Sequence, residues 1–261
     1  MKWKLHRAIA RRIADLTGLP EQPLVEGSIS PDRFNSFDPR FDGAWKVTSR
    51  GRLRFARMSH HKPSPAKIFR MILLARRWLN AGDRVNAAFW LGRALHYVQD
   101  ACTGKGFLGL RHGRVEGEMA ALPLREDALR LGVENADCHP EAVRRMVGEA
   151  RPSNKAEEAL RRAAYLSARI AWSTVQLGRV EEAKVQVGKL RRRGRRLLAA
   201  GLTWSLSSLL LLYASAAEFV SSAFLPYAAL GFLASLPLLL APKHYFSRAR
   251  LLAEWFALGE S

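Results

Sequence analysis

Cysteine is nearly absent. The 261 residues include only Cys102 and Cys138, with no Cys-x-x-Cys pair. That excludes a disulfide-stapled scaffold and points to a reducing compartment, or to thiols with no role. Acidic side chains are also scarce, 23 against 42 lysines and arginines, a formal net charge of +19. Such a balance excludes an acidic protein and favours partners of negative charge, either the cytoplasmic face of a bilayer or nucleic acid. The first residues have no unbroken apolar run, because Lys2, Lys4, Arg7, Arg11 and Arg12 interrupt Met1 to Ala14. Export by a secretory signal is therefore not expected. No strand alternation and no internal repeat competes with the helical patterns described below, so the expected class is all-α.

What the chain does have is two long stretches without charge. Residues 197–217 contain none and residues 219–241 contain none, with Glu218 alone between them. Each matches the ~20 residues a helix needs to cross the hydrocarbon core of a bilayer. A buried helical pair in a soluble core would call for shorter runs or runs broken by charge. The pattern predicts a transmembrane hairpin, with a turn at Glu218 among Ser215, Ser221 and Ser222 and with Pro226 and Pro237 as kinks in the second span. Lys189, Arg191, Arg192, Arg193, Arg195 and Arg196 precede it, and Lys243, Arg248 and Arg250 follow it. By the positive-inside rule both flanks lie in the cytoplasm, giving a multi-pass protein of the cell membrane with a cytoplasmic N-terminal domain and C-terminus. The expected organisation is a helical domain over residues 1–190 and the hairpin with its basic flanks over 191–261.

Ahead of the hairpin the apolar spacing is helical. Leu5, Ile9, Ile13 and Leu16 recur every three or four residues before Gly18 and Pro20 stop the pattern. Glu21 to Met58 carries Pro23, Gly27, Pro31, Pro39, Gly43 and Gly51 with little periodicity and reads as a long structured loop. Ser64 with Pro65 opens a helix through Leu79, and Asp83 caps another running to about Cys102. Thr103-Gly104-Lys105-Gly106 then breaks the chain. Further helices are expected from about Gly109 to Met119, Arg125 to Leu131, Pro140 to Glu149, and from Asn154 into the basic stretch.

Histidine is the informative residue type. Five of seven, His6, His60, His61, His96 and His112, fall in the first 112 positions. His96 and Asp100, four apart on a predicted helix, leave one face a turn apart, and His112 and Glu116 repeat the device. Imidazole nitrogen and carboxylate oxygen are ligands that zinc accepts. At the same spacing such pairs also form surface ion pairs or satisfied core contacts. The Phe89, Gly92, Leu95 stripe beside His96 places that pair at the border of the core, where a charged Asp needs a cation or donors. Asp32, in Gly27-Ser-Ile-Ser-Pro-Asp, reads as a metal ligand, a general base or a turn residue.

The succession of His6, Gly-Ser-Ile-Ser-Pro-Asp32, Ser-His60-His61, Ala-Leu-His96-Tyr-Val-Gln-Asp100 and His112-x3-Glu116 resembles the zinc-dependent phospholipase C family over about residues 1 to 170. Its most specific part is Trp90 to Thr103 followed by His112-x3-Glu116. The resemblance implies an all-helical multi-helix domain, shared with fungal single-strand nucleases, that holds two or three zinc ions. By position, Asp100 would bridge two zincs, His60 and His96 would complete one site, and His6 would belong to the other. His112 and Glu116 would hold a third ion, and Asp32 would match the acid near the attacking water, as base or orienter. Such a cluster suits phosphodiester hydrolysis, lowering the pKa of a water and neutralising phosphoryl oxygens.

Three departures accompany the resemblance. The family often has a His six residues after the bridging Asp, where this chain has Gly106, which leaves the third ion to His61 or a water for completion. Secreted bacterial members use a processed N-terminal Trp as ligand, whereas here Trp3 follows Met-Lys and a packing or interfacial role is expected. Classical members are exported, whereas these flanking charges imply a membrane-tethered cytoplasmic form acting on a phospholipid or related phosphoester, with the basic Lys189 to Arg196 favouring anionic lipid. Two other readings stand beside this one. Arg50-Gly-Arg-Leu-Arg-Phe-Ala-Arg57 is compatible with a nuclease or nucleic-acid binder, though aromatic interleaving is sparse. A non-catalytic membrane scaffold is the third.

Overall fold

A computed structural model describes residues 1–33, 38, 43–47, 51–57, 64–104, 112–176, 178, 180–217 and 222–258. The chain divides into two compact units, residues 1–178 and 179–261. The position near 190 where the sequence suggested a boundary falls inside one continuous helix of the second unit.

The first unit is built from helices, in order α1 (Trp3–Thr17), α2 (Glu21–Ile29), α3 (Pro65–Asn80), α4 (Arg84–Cys102), α5 (His112–Ala121), α6 (Glu126–Glu134), α7 (Pro140–Gly148) and α8 (Ala156–Val175). Local chemistry accounts for many of their ends. Gly18 takes the left-handed conformation (φ 67°) that closes α1 and returns its N–H to Ala14 O, a geometry costly for a residue with a Cβ. Asp83 Oδ1 accepts from Asn86 N at 2.9 Å and caps α4. The buried Arg76 of α3 donates to the carbonyls of Thr174 and Gln176 at 2.7 and 3.0 Å, so a cation meets the unpaired carbonyls at the end of α8. Gly178, at φ 58°, lies just beyond that end. The single helix expected from Asn154 into the basic stretch is therefore two helices, the first stopped at Val175 where Arg76 takes up its last carbonyls.

The segment Glu21 to Met58 is more ordered than a loop. Pro20 and Pro23 sit at the cap and in the first turn of α2, where a missing N–H costs no helical hydrogen bond. A 3₁₀ turn, Ser30–Asp32, follows. Strands β1 (Gly43–Val47) and β2 (Leu53–Arg57) then pair antiparallel, Trp45 opposite Phe55, with Gly51 at φ 71° between them. Their apolar alternation covers only two positions per strand, too short to register as a pattern. Apart from this hairpin the fold is all-α.

α4 is the axis of the first unit. Every residue from Leu91 to Cys102 is buried, with α1, α2, α3 and α8 packed around it. Two glycines allow the closest of these approaches. A methyl group built at Gly27 of α2 would overlap Phe89 O, and one built at Gly92 of α4 would overlap Leu24 O. The α2 and α4 backbones therefore touch at this crossing. Cys102, at the end of α4, has its thiol pushed up to about 12 by burial, which leaves it a small inert core residue.

The second unit is a pair of long antiparallel helices, α9 (Val180–Ala216) and α10 (Leu225–Trp255). At 1.5 Å per residue they run about 55 and 46 Å. Both are long and apolar enough to cross a membrane. Their contact is made of small residues: Gly194 against Phe246, Gly201 against Leu239, Ser205 hydrogen-bonded to Ser235 at 2.6 Å, and Gly231 against Ser208. Their large side chains point outward, Leu206 at 63%, Leu210 at 62% and Leu240 at 70% exposure. Pro226 stands in the first turn of α10, where it starts the helix and does not kink a span; Pro237 and Pro242 lie inside it. Glu218, the expected turn residue, lies outside the described residues.

Candidate metal centre

The Gly27/Gly92 crossing is what arms the site. Because α2 lies directly on α4, the carbonyl of Ser28 reaches His96 Nδ1 at 2.8 Å and fixes the imidazole orientation. Nε2 of His96 is then turned toward Asp100, one helical turn on, whose Oδ2 is 3.2 Å away. From α1, the buried ring of His6 stacks on that of His96, centroids 4.3 Å apart and planes 26° apart. His6 Nε2 lies 3.3 Å from Asp100 Oδ1 but makes no hydrogen bond there, while its Nδ1 is 2.6 Å from Gln99 Oε1. One ligand atom from each of His6, His96 and Asp100 lies within 4.8 Å of the others.

These groups are buried almost completely, and a lone carboxylate there would be costly. Burial pushes Asp100 upward, but His96 and His6 outweigh it and hold the carboxyl well below the usual carboxylate range. Burial pushes His96 down, yet Asp100, with help from Asp32 and the Ser28 carbonyl, leaves it raised. Burial and the neighbouring His96 lower His6. The two stacked imidazoles are thus driven apart, His96 toward the cation and His6 toward the neutral ring.

A further cation comes from the chain itself. The α-ammonium of Met1 lies 2.7 Å from Asp100 Oδ1 and 2.6 Å from Glu116 Oε1. Burial opposes its charge, but the two carboxylates prevail and raise its pKa. In this way α5 joins the cluster through Glu116. Asp32, at the end of the 3₁₀ turn, stands at the edge, its Oδ1 3.6 Å from His96 Nε2 and its Oδ2 accepting from Trp3 Nε1 at 2.7 Å. The expectation that Trp3 packs or lies at an interface is refined by that bond: half exposed, it steadies the carboxylate at the rim.

Of the residues singled out by sequence, His6, His96 and Asp100 come together, Asp32 stands beside them, and Glu116 is linked through Met1. His112 opens α5 one turn before Glu116. His60, His61 and Gly106 lie outside the described residues. Sequence reading missed Gln99, the Ser28 carbonyl and the Met1 amine. Gln99 had a signal, an amide three residues after His96 on a helix with no exposed face in that stretch; the other two are main-chain groups and leave none.

A family model described as zinc dependent phospholipase C matches residues 5–159. The chain belongs to the zinc-dependent phospholipase C family. No curated protein and no solved structure matches it. The family's metal fits the residues present. His6 Nε2 is a buried polar atom with no hydrogen-bond partner, turned to the same carboxylate as His96, and a nitrogen lone pair so placed suits a cation. Two imidazoles and a carboxylate are also the donor set zinc takes in hydrolytic sites.

Proposed function

We propose that the chain is a membrane-anchored, zinc-dependent phosphodiesterase that hydrolyses a phospholipid or a related phosphoester in the manner of a phospholipase C. The observation that carries this reading is the buried His6, His96 and Asp100 cluster within a zinc-dependent phospholipase C domain. His6, His96 and Asp100, close enough together to hold one ion, would do so here, where the family pattern divides the two imidazoles between ions that share Asp100. Glu116 and His112 are the proposed ligands of a further ion, and His60 belongs to the set by its place in the family pattern. Zinc held by these residues would supply an acidic water and positive charge for phosphoryl oxygens. Asp32, half-buried at the rim and steadied by Trp3, would accept a proton from a nucleophile or orient it, a role that its nearness to His96 supports.

The anchoring half of the reading is supported by α9 and α10, whose length, outward leucines and small-residue seam suit a hairpin across a bilayer. The basic residues before α9's apolar stretch and after that of α10 support a cytoplasmic face for both ends. Holding the catalytic domain at the surface raises the local concentration of lipid substrate. No described feature favours nucleic acid over lipid.

Elemental analysis of the detergent-solubilised full chain tests the proposal. Two or three zinc ions per chain are expected, with the number falling in Asp100→Asn, whose affinity should drop by more than the ~10–100-fold typical of losing an outer partner. Hydrolysis of a phospholipid should fall with the zinc. A protein that takes up no zinc, even after reconstitution, would leave the non-catalytic scaffold.

A further inference from the structure

One fully buried polar side chain at the centre is used by no step above. Gln99, on α4 between His96 and Asp100, has no exposed surface, yet both ends of its amide are bonded. Oε1 is 2.6 Å from His6 Nδ1 on α1, and Nε2 donates to Ser167 Oγ on α8 at 3.1 Å. A buried primary amide is costly unless both ends are satisfied, so a packing role alone would favour Leu or Met at this position. What the amide adds is direction. Ser167 accepts from Nε2, and that turns Oε1 toward His6. A carbonyl oxygen can only accept, so the His6 ring must carry its proton on Nδ1 and keep its lone pair on Nε2. That Nε2, 3.3 Å from Asp100 Oδ1, is a buried atom with no hydrogen-bond partner among the described residues.

We propose that Gln99, aligned by Ser167, is a positioning residue that fixes the Nδ1–H tautomer of His6 and so presents Nε2 to a divalent cation held with His96 and Asp100. His96 has its equivalent support from the main-chain carbonyl of Ser28, which no substitution of that side chain removes. Gln99 is the side chain through which the outer support of this centre is open to test. The inference deepens the zinc reading and rests on it for the identity of the ion, but the tautomer is a property of the chain itself.

The experiment uses full-length protein, labelled with ¹⁵N-histidine, for the parent chain and for Gln99→Met, Gln99→Glu and Ser167→Ala. Ring ¹⁵N shifts of His6 are recorded in metal-free protein, and zinc affinity is measured by competition with a chelator. The expected parent state is a single Nδ1–H tautomer. Gln99→Met, similar in volume but unable to accept, should mix the tautomers and weaken zinc by about 10-fold or more. Gln99→Glu, which keeps an acceptor, should retain both the tautomer and the affinity. Ser167→Ala should give a smaller shift in the same direction as Gln99→Met. A Gln99→Met protein that folds and keeps both the parent tautomer and the parent affinity overturns the proposal. If Gln99→Met does not fold, Ser167→Ala and Gln99→Glu decide it by the same shifts. If the parent binds no zinc, the metal reading fails, while the tautomer comparison still upholds or overturns the role of Gln99.

Discussion

The two units solve opposite packing problems. In residues 1–178 the large apolar side chains Ile9, Ile13, Met71, Ile72 and Leu91 are buried, and with them go charged and polar groups, His6, His96, Gln99 and Asp100. Along the apolar stretches of α9 and α10 the buried seam is glycine, alanine and serine, while Leu202, Leu206, Leu210 and Leu240 are exposed. Water rewards the first arrangement, because apolar area leaves it and the few buried charges compensate one another. A hydrocarbon surround gives no such reward for burying leucine, so helices there associate through close backbone approach and a few hydrogen bonds. The Ser205–Ser235 pair at 2.6 Å and the Gly201–Leu239 contact have that character. On the proposed membrane reading one chain carries the packing rules of two solvents, and the buried polar cluster belongs to the unit that follows the rules of water.

The sharpest way to break this contrast is to put a charge on each exterior. Leu206→Lys, near the middle of the apolar stretch of α9, should cost ~2.5–3.5 kcal/mol of insertion if the exterior is lipid. Leu131→Lys, on the exposed side of α6 in the first unit, should stay within about 0.5 kcal/mol of parental stability. Resistance to alkaline extraction from membranes reads the first, and thermal denaturation the second. If Leu206→Lys remains membrane-bound like the parent, or the parent itself is released by alkali, the second unit is not a membrane hairpin.

Glycines sharpen the comparison further, since both units use them for contact but with different tolerance. A methyl at Gly92 would meet the Leu24 main chain, which cannot rotate away, whereas one at Gly231 would meet the hydroxyl of Ser208 at 2.8 Å. Gly92→Ala should therefore destabilise by about 1–3 kcal/mol, and Gly231→Ala by less. Because the Gly92 crossing also brings Ser28 O to His96, Gly92→Ala should weaken zinc as well. A Gly92→Ala protein with unchanged melting temperature and zinc affinity would show that the crossing does not support the site.

The legible and illegible parts of this molecule divide along physical lines. Most helices of the first unit and both apolar stretches were readable because period, caps and length are local, as with Gly18, Asp83 and Pro65; α2 was not, because Pro23 and Gly27 within it read as loop. The triad of His6, His96 and Asp100 was readable in part from spacing, with His96 and Asp100 one turn apart, and in part from family resemblance, which tied in His6 from another helix. The outer support was not readable. Ser28 contributes a carbonyl that every residue has, and Met1 an amine that every chain has, so their roles depend on where α1, α2 and α5 pack against α4. The break near Gly178 was hidden for a similar reason: the cation that closes α8 comes from Arg76, about a hundred residues away.

The smallest expected effect concerns pH, and it belongs to the first unit. In metal-free protein Asp100 has a lowered pKa, so its contribution is present above the ordinary carboxyl value and is lost as pH falls through the lower folded value. His6, also lowered, contributes stability above 6.5 that is lost as pH falls through its folded value. His96 is raised, so its contribution is complete below 6.5 and disappears as pH rises through its folded value. Acid therefore opposes folding through His6 and then Asp100, while alkali opposes it through His96 and through the Met1 ammonium, which is also raised. Comparing the melting temperature of parent and His96→Gln, both metal-free, isolates the His96 limb: the parent should lose more on going from pH 6 to pH 9. Zinc should abolish the difference in the parent, because a divalent ion then replaces the His96 proton as the countercharge to Asp100. Parallel curves for the two metal-free proteins would mean that His96 does not carry the positive charge that Asp100 requires, and would assign that role to the Met1 ammonium.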